Sequence, residues 1–272
     1  KALLRPAALL AEVERVPGLP VETDGSLDAA RVIERRDEVV HDYGDSAQLP
    51  WLEDRGIELV RARGVLDGER RVRAGDDVLV ARRAVIVATG SGPAMPPIDG
   101  LDEVAAWSNR EITSAKSVPA SLVVLGGGVV GVEMAQAWAS LGSDVAIVEA
   151  GDRLIAREEE FASEQVTEAL REHGVDVRLG VEAERFSGGE GEPVRVELEG
   201  GDAVEGAHVL VAVGRRPRVE GIGLESVGIE PDGPLEVDDR MRAGSRDWLY
   251  AVGDVNGRAL LTHVGKYQAR AA

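Results

Sequence analysis

The sequence predicts an α/β protein of two domains, each combining a parallel sheet with a small antiparallel β-meander. Three observations predict this class. From residue 121 onward the pattern reads strand, helix, strand, helix, strand, which indicates a parallel sheet with covering helices. Short β segments separated by turn residues lie on both sides of that pattern. A stretch rich in Gly, Pro and Ser at residues 90–121 separates the two halves of the chain, as expected of a crossover between domains.

The first part of the chain predicts two amphipathic helices. Residues 2–15 have helical periodicity, and Pro6 falls in the first turn, where proline is tolerated. A loop rich in Pro and Gly, residues 16–26, follows. Residues 26–43 then predict a second helix with Ser26 as its N-cap.

A meander and a crossover come next. The segments at 57–66, 70–75 and 77–89 predict short strands with turns at the Asp-Gly and Asp-Asp pairs between them. The last strand, at 84–88, is apolar on both faces and is expected inside a larger sheet. Residues 90–121 are rich in Gly, Pro and Ser and predict a connection between domains.

The second half predicts the parallel sheet and its continuation. Its expected elements are strands at 122–125, 145–148 and 175–181, helices at about 129–141 and 157–173, a second meander from 194–200 and 207–214, a long loop at 214–247, and a final strand, Gly-Asp turn and helix start at 248–272.

Composition excludes several classes of function. The chain of 272 residues has a net charge of −18, which disfavours nucleic acid and anionic membranes as partners. It has no cysteine, so a disulfide framework, a thiolate metal site and a cysteine nucleophile are excluded, and no metal site is expected. The cysteine-free composition fits a cytoplasmic protein, and this location is expected. No apolar run is long enough to span a membrane. The first residue is Lys1 rather than Met, which suggests a fragment of a longer chain.

The clearest motif is a glycine pattern between the first parallel strand and its helix. Gly126, Gly128 and Gly131 are spaced G-x-G-x-x-G, typical of a dinucleotide-binding turn: a tight bend, close approach of the backbone to a pyrophosphate, and close helix–strand packing. The helix N-terminus adds free N–H groups and a positive dipole end. The sequence therefore predicts a pyrophosphate over residues 126–131.

Glu149 predicts which dinucleotide binds. It ends the next strand, 18 positions after Gly131, close to the spacing of about 20 expected for an acid that binds ribose hydroxyls. Its carboxylate would repel a 2′-phosphate, and the next residue is Ala150 rather than an arginine. NAD is favoured over NADP, with Arg153 as a possible phosphate partner that leaves NADP open.

Beyond this motif, the chain resembles the pyridine nucleotide-disulfide oxidoreductases, in particular the dihydrolipoamide dehydrogenases and mercuric-reductase-like members. The resemblance covers the whole chain. It rests on the order of five segments: KALLRPA at 1–7, VIVATGSGPAMPP at 85–97, the glycine motif through residue 149, VLVAVGRRP at 209–217 and LYAVGDVNG at 249–257.

The resemblance implies two Rossmann-like three-layer domains that bind FAD and NAD, one inserted in the other. Residues 1–116 and 239–272 correspond to a partial FAD-binding domain, and residues 117–238 to the NAD-binding domain. The implied NAD-site residues are Gly126, Gly127, Gly128, Val129, Val130, Gly131, Glu149, Val181, Ala212, Val213, Gly214 and Arg215. The implied FAD-site residues are Lys1, Thr89, Gly90, Glu133, Gly253, Asp254 and Thr262. Among these, Glu133 is expected to face inward and to pair with Lys1.

The resemblance also implies what this chain does not carry. The family's redox cysteines, its first FAD-binding strand and its C-terminal interface domain with the acid/base histidine have no counterpart here, so no catalytic residue is assigned, His263 included. The family passes hydride from a nicotinamide to FAD and then to a disulfide-type, small-molecule acceptor, and its members form homodimers. The hypothesis is that the chain binds NAD weakly and is catalytically silent. The alternatives are a cysteine-independent flavin reductase of quinones or oxygen, and a non-catalytic NAD-binding module.

Overall fold

The computed structural model describes residues 1–17, 26–189 and 191–272. Most of the loop predicted at 16–26 therefore lies outside the described residues. The helices are α1 (Arg5–Glu14), α2 (Ala29–Val39), α3 (Leu49–Glu53), α4 (Asn109–Ser114), α5 (Val129–Ser140), α6 (Glu160–Glu172) and α7 (Thr262–Ala271). The strands are β1 (Gly64–Leu66), β2 (Arg71–Ala74), β3 (Asp77–Val80), β4 (Val85–Val87), β5 (Ser91–Pro93), β6 (Ser121–Leu125), β7 (Asp144–Glu149), β8 (Asp176–Leu179), β9 (Ala183–Gly189), β10 (Glu192–Leu198), β11 (Ala203–Gly206), β12 (His208–Val211), β13 (Arg215–Pro217) and β14 (Leu249–Ala251).

The described residues divide into two compact units, 1–46 with 93–214 and 47–92 with 215–272. These boundaries differ from the domains expected at 116/117 and 238/239, and residues 1–46 belong with the glycine motif. The physical reason is packing: Leu3 of the N-terminal segment and Val32 of α2 lie in the same buried cluster as Trp138 of α5. The assignment of residues 1–116 and 239–272 to one FAD-binding domain stays a prediction.

The first unit is built on a four-stranded parallel sheet in the order β12-β6-β7-β8. Alternate residues of β6 point to opposite faces because the side-chain period of a strand is two. Leu122 and Val124 pack into the cluster that contains Trp138, and Val123 and Leu125 pack into a second cluster that includes Phe186 of β9. The sheet is thus buried on both faces, and the predicted α/β class is confirmed.

The strand at 207–214 corrects the prediction. We expected it to close a second meander, but β12 pairs in parallel with β6, His208 opposite Leu122 and Val211 opposite Leu125. The meander is formed instead by β11, β10 and β9, of which only β10 was predicted. The apolar run at 209–211 is buried on both faces, although β12 is the edge strand of its sheet, and such burial is typical of parallel sheets.

A second correction concerns the start of α2. The N-cap is Asp28, whose side chain accepts a hydrogen bond from Arg31 N, and not Ser26. Arg36 of the same helix is 2% exposed, and its guanidinium donates to the carbonyl oxygens of Thr113 and Ala115 at 2.5 and 2.8 Å. These carbonyls end α4 and lack helical partners, so a buried cation satisfies a helix C-terminus.

The second unit contains the antiparallel sheet β1-β2-β3 and the parallel pair β14-β4. Leu249, Ala251 and Val87 lie in its core with Leu224 and Trp248. Within the part of the chain that the structure describes, we find no helix with the length and apolar character of a membrane span.

Candidate functional site: a glycine bend and an acidic turn

The predicted glycine motif forms a bend between β6 and α5. Gly126 has φ of 106°, a left-handed conformation that favours glycine, and its N–H donates to Val148 O at 2.8 Å. A Cβ at Gly131 would lie 1.9 Å from the Gly126 oxygen, so only glycine lets α5 approach the bend this closely. The third glycine therefore has the packing role that the motif predicts.

Gly128 has a different environment. A Cβ placed there meets no atom within 4 Å, so the space in front of this residue is open. Gly128 is the N-cap of α5 and no side chain caps it, while Val129 and Val130 are 60% and 37% exposed. The first N–H groups of α5 therefore face free space at the positive end of the helix dipole, which suits an anionic group such as a phosphate.

Glu149 at the end of β7 points toward the bend. Its Oε2 accepts a hydrogen bond from Gly127 N at 2.5 Å, and its Oε1 accepts one from Gly151 N at 2.7 Å. The side chain is only half-buried, and each carboxylate oxygen has a second lone pair. The carboxylate is thus held in one orientation with acceptor capacity left for hydroxyl groups.

Other predicted NAD-site residues lie next to these. The carbonyl carbon of Ala212 would be 2.8 Å from a Cβ at Gly126, and Val181 N donates to Glu149 O at 3.2 Å. Val213 is 45% exposed, and Gly214 O accepts a hydrogen bond from Ala94 N. The described fold thus brings residues 126–131, Glu149, Val181 and Ala212 together within one unit.

Arg215 lies elsewhere than expected. Its Nε donates to Ser91 Oγ at 2.7 Å and lies 3.8 Å from Asp254 Oδ2. Ser91 Oγ donates in turn to Asp254 Oδ2 at 2.6 Å. Arg215 is the first residue of β13, whose strand partner β5 begins at Ser91. Arg215, which the resemblance assigned to NAD, therefore contacts a residue predicted for the flavin.

The second unit holds an acidic turn, defined here as residues 253–256, at the end of β14. Gly253 has φ of 78°, and its N–H donates to the side-chain oxygen of Gln268 on α7 at 2.7 Å. Asp254 follows, with its side chain 27% exposed. Thr89 and Gly90, also predicted for the flavin, lie at the end of β4, where Val87 O accepts from Val252 N.

The remaining flavin-site predictions are less well supported by position. Glu133 is exposed on α5, so its expected inward orientation is wrong: its position on the helix lies between the buried ones. Lys1 is exposed too, and among the described residues no ion pair joins Lys1 to Glu133. Thr262 is the exposed first residue of α7. His263 is exposed on the same helix.

Several polar contacts were not predicted. Ser91, Asn256 and Gln268 are buried polar residues of the second unit, and Trp107 stacks on His208 with ring centroids 4.0 Å apart. Burial lowers the pKa of His208 from its ordinary value. No local pattern in the sequence marks these residues: Ser91 meets Asp254 across 163 positions, and Asn256 and Gln268 lie 12 positions apart but on different elements. Within the described ranges, His, Asp and Glu form no group of three or more suited to a metal ion.

Comparison with known proteins decides the family. Residues 8–269 match the family described as pyridine nucleotide-disulphide oxidoreductase. The chain belongs to this family. It is 28% identical over 273 residues to a mercuric reductase from Bacillus cereus, covering 98% of this chain and 43% of that protein. It is 33% identical over 283 residues to a dihydrolipoyl dehydrogenase from Chlorobaculum tepidum, covering 100% of this chain and 60% of the relative.

Two solved structures are similar to this chain over nearly its whole length. The HOCl-induced flavoprotein disulfide reductase RclA from Escherichia coli, as its Cu(II) complex, superposes with a TM-score of 0.85 at 25% identity, covering 100% of this chain and 59% of that one. LpdA from Mycobacterium tuberculosis gives 0.82 at 28% identity, covering 99% and 60%. The chain spans about half the length of the first curated relatives it matches, at 43% and 50% of two mercuric reductases.

Proposed function

We propose that this chain supplies the NADH-binding part, and a portion of the flavin-binding part, of an FAD-dependent oxidoreductase. The observation that carries the proposal is Glu149, whose carboxylate is fixed against Gly127 at the mouth of an open helix N-terminus. Backbone N–H groups attract a diphosphate, and a carboxylate one strand away accepts hydrogen bonds from a ribose. Together they fit a dinucleotide.

The same carboxylate favours NADH over NADPH. A 2′-phosphate at the ribose would meet the negative charge of Glu149, and like charges brought together cost several kcal/mol. The arginine nearest to Glu149 in the sequence that could neutralise a 2′-phosphate is Arg153. Its guanidinium instead donates to the carbonyl oxygens of Glu158 and Ala156, at 3.0 and 2.8 Å. The arginine is therefore committed to its own loop.

The acidic turn fits a hydroxylated chain such as the ribityl group of FAD. Asp254 Oδ2 is occupied by Ser91, whereas no hydrogen bond to Oδ1 is found among the described residues, and the side chain is partly exposed. A carboxylate oxygen held this way accepts from hydroxyl groups and repels phosphates. When bound, FAD supplies the acceptor for the hydride of NADH. The residues of this chain bind and orient the two cofactors.

The final electron acceptor is proposed more broadly, as a disulfide-type small molecule reduced by the whole protein. The chain has no cysteine, so it contributes no thiol to that step. The alternatives remain a flavin reductase of quinones or oxygen, and an NAD-binding module without activity. Homodimer formation and a cytoplasmic location, which were expected from the sequence, stay predictions.

Two measurements on the purified chain test the proposal. NADH and NADPH are titrated separately while nucleotide fluorescence is followed, and NADH is expected to bind at least about tenfold more tightly, a difference of about 1.4 kcal/mol. Flavin absorbance after addition of FAD and removal of the excess reports whether the acidic turn contributes to a flavin site. Absence of NADH binding, or tighter binding of NADPH, would overturn the nucleotide assignment.

A further inference from the structure

The loop between β7 and α6 contacts the glycine bend through a hydrogen bond from Ile155 N to Gly127 O. This loop, residues 151–158, is called the latch loop below. Resting on the proposed function, we infer that the latch loop holds Gly127 and Glu149 in their binding geometry. Arg153 and Ser163, whose side chains donate to carbonyl oxygens of this loop, are positioning residues for the adenosine ribose.

The latch loop and Glu149 together fix the two sides of the Gly127 backbone. Ile155 N donates to Gly127 O at 2.8 Å, and Gly127 N donates to the carboxylate of Glu149. Leu154 is fully buried, and its Cδ2 would lie 2.5 Å from a Cβ at Gly127. Both polar groups of this glycine are therefore satisfied, and a side chain closes the space beside it. The peptide that precedes the open helix N-terminus has no freedom to turn.

The same loop fixes the second oxygen of the carboxylate. Gly151 N donates to Glu149 Oε1, and Gly151 O accepts from Gly180 N at 2.8 Å. Glu149 is thus held by one N–H from the glycine bend and one from the latch loop. Two donors at opposite oxygens allow a single carboxylate orientation, and this leaves the remaining lone pairs aimed in one direction.

Two side chains hold the latch loop in its conformation through hydrogen bonds to its carbonyl oxygens. Arg153 bridges the carbonyl oxygens of Ala156 and Glu158. Ser163 of α6 is 1% exposed, and its Oγ donates to Leu154 O at 2.6 Å. Ile155 has φ of 41°, which is strained for a β-branched residue and persists only where the surroundings impose it. The bonds of Arg153 and Ser163 impose it here.

The test compares two arginines of the latch loop. Arg153→Ala removes the bridge. Arg157→Ala is the matched control, because it removes the same charge from an exposed side chain for which no hydrogen bond or ion pair is found in the described ranges. NADH affinity is expected to fall about five- to tenfold in the first variant and less than about twofold in the second. Equal losses in both variants would show that charge matters and would overturn the positioning role.

A second probe separates positioning from general loss of structure. The dinucleotide that lacks the adenosine 2′-hydroxyl is titrated beside NADH. The unaltered chain is expected to prefer NADH about tenfold, and Arg153→Ala and Ser163→Ala are expected to reduce this preference to about twofold. Partial unfolding would weaken both ligands equally and leave the ratio unchanged, and that result would overturn the inference.

The controls distinguish this inference from the proposed function. If the unaltered chain fails to bind NADH, the proposed function is overturned, and the positioning role of the latch loop is overturned with it. If it binds NADH and prefers it over the deoxy form, the proposed function stands. An unchanged preference in both variants then overturns the latch role alone.

Discussion

The glycine bend and the acidic turn both begin with a glycine after a short strand, but different elements follow the two glycines. In each, a short parallel strand ends in a glycine with positive φ, Gly126 after β6 and Gly253 after β14. Gly126 leads into the twelve-residue helix α5, whereas Gly253 opens a 3-10 turn of four residues. A long helix adds a dipole and free N–H groups, and a single short turn adds little of either.

The two sites also differ in what holds the backbone. A charged carboxylate, Glu149, holds the glycine bend, whereas the neutral amide of Gln268 holds Gly253, with Asn256 donating to the same amide oxygen at 3.0 Å. The acidic turn then presents Asp254. One bend is built to receive an anion and the other to receive hydroxyl groups, although their strand ends look alike in sequence.

The largest expected effect comes from the packing glycine. Gly131→Ala forces its new methyl group against the Gly126 oxygen, 1.9 Å away in the present backbone. We expect a loss of about 3 kcal/mol in the free energy of unfolding, at the upper end for overpacking. Denaturant unfolding measures it. A midpoint equal to that of the unaltered chain would show that the helix does not need this close approach.

Gly128→Ala tests nucleotide binding at the glycine bend separately from stability, because the added methyl group leaves the fold unchanged. The added methyl meets no atom, and the φ of −72° suits alanine. Stability should be unchanged or higher by up to about 1 kcal/mol, while NADH affinity falls about tenfold because the methyl fills the phosphate position. Retained NADH affinity would place the pyrophosphate elsewhere.

Glu149→Gln tests the charge at the bend. The variant keeps the size of the side chain but loses the charge, and its amide nitrogen cannot accept the hydrogen bond that Gly127 N or Gly151 N donates to one carboxylate oxygen. Hydrogen bonds to charged groups contribute about 1.5–3 kcal/mol. NADH affinity should fall about tenfold, and the preference over NADPH should shrink because the repulsion is gone. Glu164→Gln on exposed α6 is the control. If NADPH affinity falls as much as NADH affinity, the carboxylate does not discriminate between them.

Ser91→Ala tests the acidic turn separately. It removes the hydroxyl between Arg215 and Asp254, and we expect a loss of about 1 kcal/mol in the free energy of unfolding. NADH affinity should stay the same. A matching drop in NADH affinity would contradict the assignment of Arg215 to the acidic turn.

The smallest expected effect is a pH dependence from His208. Burial lowers the pKa of this histidine below its ordinary 6.5, so just below pH 6.5 the unfolded chain binds more protons than the folded one. Stability should therefore fall as the pH drops below 6.5 and level off below the folded pKa. Melting temperatures of the chain and of His208→Gln across this range measure the difference. Identical pH profiles would show that His208 does not contribute.

The sequence predicts the glycine bend well because the bend is local. The spacing from Gly126 to Gly131 and the strand end at Glu149 fall within one strand–helix–strand unit, and neighbouring residues determine their geometry. The α/β class follows from the same short-range periodicity. The prediction that the structure confirms, the α/β class, depends on interactions between residues within some thirty positions of one another.

The contacts that escaped prediction are long-range or ambiguous. Ser91 and Asp254 lie 163 positions apart, and Arg36 meets Thr113 across 77. The sequence did not predict the pairing of β12 with β6, because a short apolar run does not specify which strand it pairs with or in which direction. The prediction that Glu133 faces inward is wrong because a residue two positions along a helix is rotated by about 200° from the buried Gly131.

Hydrogen exchange of the backbone amides, with and without NADH, tests whether the glycine bend binds the nucleotide. We predict slower exchange at residues 127–131 in the presence of NADH and no change at 253–256. Unchanged exchange at 127–131, or protection confined to 253–256, would contradict this prediction.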